Sequence, residues 1–276
     1  MQRQLKYSKS SGDRQMHQCV AQPPKNNKED VRVQHQSAPL AYSKGDGTIS
    51  SRLICVISGG TDRERALLNE VERKKSFKRL QVIFVSSKTA PLPQGGLTPK
   101  MMKSVYDDVV STGVVKLNNR VVHLQDIDKI YLFTDVDHYY DELNSLLIKA
   151  TQREKEDWII SNPDIEIWIY YCYRNTPEQD LLEVIDAQPE SMRSSILKTV
   201  NGRFNNGGGL DTRKTFENLH VGIANSKANY AEDANGIPVL LSTQMHRFAE
   251  DVIQSLGEEY AQWQQTVRER NIRYRK

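Results

Sequence analysis

The chain has 276 residues, of which 38% are hydrophobic and 26% charged, and its 38 Lys/Arg against 35 Asp/Glu leave a formal charge of +3. That length suits one large or two modest domains with a sizeable buried core. No stretch approaches the ~18 consecutive apolar residues of a membrane helix, the opening MQRQLKYSKSSGDRQ lacks the apolar centre of a secretory signal, and Cys19, Cys55 and Cys172 lie far apart with no CxxC pair. Membrane, secreted, disulfide-framework and zinc-ribbon classes are therefore disfavoured, and a cytoplasmic location without membrane contact is the expectation.

Charge is unevenly spread. Residues 1–50 hold eight basic and four acidic side chains, whereas residues 51–276 hold 30 basic and 31 acidic, with five basic against one acidic in the closing RERNIRYRK. The first fifty residues have few large apolar side chains and no periodicity. They read as a basic polar arm, disordered or ordered only against a partner. From Arg52, LICVIS is the unbroken apolar run of a buried parallel strand, closed by Ser58-Gly59-Gly60, and helical spacing follows from Thr61. QVIFVS (81–86) reads as a second strand, a helix is expected near 98–111, and VVKLNNRVVHL reads as a hairpin turning at Asn118-Asn119.

KIYLFTDVDH is a further buried strand tipped by two aspartates, followed by a helix near 139–152 and the short strand DWIIS. Asn162 suits a helix N-cap and Pro163 the first helical position, so a helix is expected through IEIWIYYCYR. Helices are expected over 178–200, 211–228 and 243–265, with NGRFNNGGG as a mobile loop. This alternation predicts an α/β core over 51–175 with a mainly parallel sheet, and a helical C-terminal region over 176–276 packed on it, ending in a basic tail.

In such sheets ligands gather beyond the carboxyl ends of the strands. Three segments should meet there: Ser58–Asp62, Asp135-Val136-Asp137 and Ser161–Glu166. Residues two apart on a strand point the same way, so Asp135 and Asp137 can aim two carboxylates at one point. Such a pair repels unless a proton or cation intervenes, and hard oxygen ligands suit Mg²⁺ or Mn²⁺. A solvated strand end gives the same DxD pattern. Ser58, Gly59, Gly60 and Thr61 can admit a phosphate to a helix N-terminus, but glycine is equally required by a tight strand-to-helix turn. His138 fits either phosphate contact or simple exposure. Trp168, Tyr170, Tyr171 and Tyr173 fit the core better than a base-stacking platform.

LICVISGG before a helix, YLFTDVDHYYDE, and IISNPDIEIWIYYCY together resemble the RloB-like family, a branch of the Toprim fold. Its S-N-P-x-x-E-[LI]-W signature is matched by Ser161, Asn162, Pro163, Glu166, Ile167 and Trp168, and IPVLLSTQMHRFAEDVI resembles its closing segment. The resemblance spans about Arg52 to Leu256. It implies a Toprim-like core and a Mg²⁺-dependent nuclease of anti-phage defence, acting on DNA or RNA. It further implies Asp135, Asp137 and Glu166 as metal ligands and an ABC- or AAA-type ATPase as partner. Assembly as a homodimer stays open. One residue departs from the family: its first strand ends in Glu-Gly, and here Ser58 precedes Gly59. A hydroxyl supplies neither a negative ligand nor a base. Glu64 can reach back in its place, or belong to a Thr61-x-x-Glu64 capping box. Asp62 is another substitute, or a favourable charge at the helix start. A chain without the strand glutamate also fits a degenerate subunit that docks on an ATPase or senses a phage product.

Overall fold

The buried apolar run at 52–58 is a strand, β1 (Arg52–Ser58), at the middle of the sheet. In the computed structural model the described residues are 51–73, 77–93, 95–136, 138–150 and 157–273. The expected arm (1–50), Asp137 and the last three residues lie outside them. β1 pairs with β2 (Leu80–Val85) on one side and β5 (Lys129–Asp135) on the other, and β5 pairs with β6 (Asp157–Ser161). All three pairings are parallel, giving the order β2-β1-β5-β6. β3 (Val114–Leu117) and β4 (Arg120–His123) form the separate hairpin expected at Asn118-Asn119.

Side chains alternate across a strand, so β1 feeds two cores. Ile54 and Val56 face α1 (Arg63–Arg73), Trp168 and the C-terminal helices. Leu53, Cys55 and Ile57 face α2 (Pro99–Thr112) and α3 (Tyr140–Ala150) through Met102, Tyr106 and Leu143. Burial on both faces is what a continuous apolar run demands. Cys55 and Cys172 are buried free thiols.

The C-terminal half departs from expectation in four places. Asn162 does not cap a helix. Its backbone N–H donates to Ser242 O, its carbonyl accepts from Leu241 N, and its side chain donates to Pro238 O. α4 accordingly begins only at Glu166 and ends at Tyr171, with the Asp164 carboxylate accepting from Glu166 N at 3.0 Å. The helix expected over 178–200 is broken into α5 (Pro177–Asp180), α6 (Leu182–Ile185), a 3₁₀ turn and α7 (Arg193–Arg203). Pro189 disfavours the helical conformation in the residue before it. A 3₁₀ segment at Thr212–Asn218 precedes α8 (Leu219–Ala228). The last expected helix is two, α9 (Met245–Leu256) and α10 (Glu258–Arg273), parted by Gly257 at φ 53°. Among the described residues no helix is long and apolar enough to cross a membrane.

Candidate functional site

Register brings the strand tips together. Ser58 lies opposite Phe133 on β5, and Asp135 lies opposite Ser161 on β6. Ser58 is fully buried, and its Oγ has no hydrogen-bond partner. The turn after it is too close to other chain segments for side chains. A Cβ on Gly59 would sit 2.9 Å from Leu97 O, and Gly59 donates its N–H to Phe133 O and accepts from Leu97 N. That N–H is therefore part of the sheet rather than a donor to a phosphate, and close packing accounts for the glycine. A Cβ on Gly60 would fall 1.9 Å from Glu64 Oε1. The Glu64 carboxylate thus lies over the turn at the tip of β1, and it is buried there.

The capping-box register is not formed. Ala66 N bonds Asp62 O, so Asp62 occupies the cap position and Glu64 the second helical residue instead of the third. Asp62 itself points outward to Lys88 Nζ at 2.7 Å, and that hydrogen bond holds its carboxyl below the usual range.

Two more carboxylates approach from the β6 side. Asp164 and Glu166 are each 2% exposed. Glu166 Oε1 is 3.1 Å from Arg63 Nε, and Asp164 Oδ2 is 3.0 Å from Lys198 Nζ on α7. Asn201, one turn further along α7, donates to Glu166 O at 2.9 Å, while its own Oδ1 has no partner. Burial pushes the Glu64 and Glu166 carboxyls above their usual 4.5, and the charge of Asp164 pushes both further, against the pull of Lys198 and, for Glu166, Arg63. Burial opposes the charge on Lys198, yet Asp164, Glu166 and Asp135 outweigh it and raise its pKa. Buried carboxylates with raised pKa values gathered at strand tips make this place a candidate functional site.

Of the residues expected from sequence, Ser58, Gly59, Gly60, Thr61 and Glu64 are at the tip of β1, Asp135 is half-buried at the tip of β5, and Glu166 opens α4. Asp137, expected as a ligand, is outside the described residues, and His138 is exposed. Among the described residues no three Asp, Glu, His or Cys side chains share one ligating point. Trp168, Tyr170 and Tyr171 are core. Arg63, Lys198 and Asn201 are not among the residues the sequence points to, and Asp164 is among them only as part of the Ser161–Glu166 segment. Asp164 had a signal, sitting two residues before the helix-opening Glu166, whereas Lys198 and Asn201 had none, because only folding brings α7 to α4.

The donors present are hard oxygens: the buried Glu64 and Glu166 carboxylates, Asp135, and the unpartnered Ser58 hydroxyl. That set fits Mg²⁺ or Mn²⁺ in kind and fits no soft metal. Compared with family models, curated proteins and solved structures, the chain matches none.

Proposed function

We propose that this chain is a Mg²⁺- or Mn²⁺-dependent nuclease with a Toprim-like core, hydrolysing phosphodiesters of DNA or RNA. The observation that carries the reading is the gathering of Glu64, Asp164 and Glu166, all buried, at the carboxyl end of a parallel sheet. Burying carboxylates beside one another opposes folding, and a catalytic role gives the reason for keeping them. Asp135 and Glu166, with Asp137, are the residues that would hold the metal. When bound, it would neutralise charge on the scissile phosphate and sharpen the attacking water. Glu64 takes the role that the family's strand glutamate has: a carboxylate over Gly60, beside the β1 tip, placed to accept a proton from that water. The resemblance adds anti-phage defence as the setting and an ABC- or AAA-type ATPase as the partner that restrains the enzyme.

The test uses the full chain with supercoiled plasmid, genomic DNA and total tRNA, in Mg²⁺, Mn²⁺ or EDTA, with and without a neighbouring ATPase. Cleavage should require metal and should fall by about 10²–10⁴-fold in Glu64→Gln, the range for losing a general base, and likewise disappear in Asp135→Ala. Absence of cleavage by the wild type under every condition would overturn the reading.

One observation favours a second reading. Arg63 and Lys198 already balance Glu166 and Asp164, as they would in a degenerate subunit that docks or senses and binds no metal. Under that reading 10 mM Mg²⁺ leaves the melting temperature unchanged; under the first it raises it.

A further inference from the structure

Lys198 is the cation paired with the buried Asp164 at the edge of the site. Its Nζ lies 3.0 Å from Asp164 Oδ2, and Glu166 and Asp135 both act on its charge. Unlike Asp164, which is buried, the Lys198 side chain is 45% exposed, so the ammonium is reachable from solvent. Lys198 and Asn201 stand one turn apart and share a face of α7. Asn201 is 4% exposed, is fixed to Glu166 O through Nδ2, and keeps an unpartnered Oδ1 at the same place. Asn201 thus ties α7 to the start of α4 and fixes the wall on which Lys198 stands beside Asp164 and Glu166.

We propose that α7 forms the backbone-recognition wall of the site, with Lys198 contacting a non-bridging phosphate oxygen of a nucleic-acid strand and Asp164 holding the ammonium in place until the strand arrives. This rests on the nuclease reading and adds the residue that binds the substrate. An ammonium is a compact point charge suited to one phosphate oxygen. Without it, an anionic strand would meet the carboxylates of Glu64, Asp135, Asp164 and Glu166, of which Arg63 pairs only Glu166 among the described ion pairs. Asp164 and phosphate then compete for the same cation, which gives the proposal a sign that a purely structural ion pair would not have.

The experiment is equilibrium binding of a fluorescent single-stranded oligonucleotide, in DNA and RNA versions, to the full chain in EDTA over a salt series. Lys198→Met should weaken binding by about tenfold and lower the salt slope by ~0.7, the signature of one lost phosphate contact. Lys198→Arg should retain both. Asp164→Asn should tighten binding, because it frees the ammonium. As Lys198→Met removes the ion-pair partner of a buried carboxylate, the double variant Lys198→Met/Asp164→Asn removes both charges and should fold and bind as weakly as the single one. Lys227→Met, which removes a charge on α8 paired with Glu250, is the comparison for non-specific loss. Wild-type affinity and slope in the double variant, or equal losses in Lys198→Met and Lys227→Met, would overturn the proposal. Because no metal or turnover is involved, a wild type that binds through Lys198 but never cleaves would sink the nuclease reading alone.

Discussion

At Gly60 the space a side chain would need is taken by the Glu64 carboxylate, and at Gly59 by the backbone of Leu97. The two glycines therefore answer differently to alanine. In Gly60→Ala the flexible end of Glu64 swings away, so the melting temperature should change by no more than about 2 °C while metal-dependent cleavage falls. In Gly59→Ala the Leu97 carbonyl must shift, and overpacking of this kind costs about 1–3 kcal/mol, readable by denaturant unfolding. Glu64 also has a signed pH effect. Burial raises its folded carboxyl above the 4.5 of an unfolded chain. The neutral form is therefore favoured by folding, and that stabilisation, complete below pH 4.5, is lost as pH rises through the folded value. Glu64→Gln should melt above wild type at pH 7.5, because the variant has no charged form to bury. The gap should close on acidification to pH 4. A variant that gains stability and loses activity would show a site kept for chemistry at the expense of the fold.

The SNP turn is held by an element far away in sequence. Residues 241–244 run beside the outer edge of β6: Gln244 N donates to Ile160 O, Leu241 N to Asn162 O, and Ser161 Oγ and Thr243 Oγ1 are 2.7 Å apart. This covers strand edge that would otherwise be open to other chains. It also explains why Asn162 cannot cap α4, since its backbone and side chain are already bonded to this segment. Gln244 clamps the segment by accepting from Ile160 N and donating to Tyr230 OH and Gly236 O. Gln244→Ala leaves a buried N–H without a partner, at about 2–3 kcal/mol. It should lower the melting temperature by about 5–10 °C and, by loosening the turn that carries Asp164 and Glu166, weaken activity even at permissive temperature.

The core on one face of the sheet is built from both halves of the chain. Ile54, Phe133, Ile159 and Trp168 pack with Phe216, Phe248, Tyr260 and Trp263, and the last two make ring contacts with Phe216. α9 is tied to the sheet as well, where Asp251 accepts from Arg52 and from the Tyr131 hydroxyl at 2.7 Å each. Residues 51–175 contain the whole sheet and look like a domain in sequence, yet alone they would expose this face. A chain ending at residue 175 should be insoluble or bind ANS strongly without a cooperative melt, whereas 51–276 should unfold in one transition. A cooperative, ANS-silent 51–175 would show that the C-terminal helices are an addition and not half of the core.

The parallel sheet was legible in the sequence because doubly buried strands must be apolar throughout: LICVIS, QVIFV and YLFT admit no other placement in an α/β chain. The turn glycines and the aspartate at the tip of β5 were legible for the same local reason, as strand ends carry the residues that loops and ligands require. Residues bonded to distant segments were not. Asn162 and Pro163 have the local form of a helix start, and only the 238–244 segment decides otherwise. Glu64 fits a cap until the space over Gly60 draws its carboxylate inward. Lys198 and Asn201 lie on a helix with no local mark of function, and they face Asp164 and Glu166 because α7 packs against α4. Local sequence fixes what depends on neighbours a few residues away. The charge balance of this site depends on groups more than thirty residues apart, and the tertiary fold alone brings them within Coulombic range.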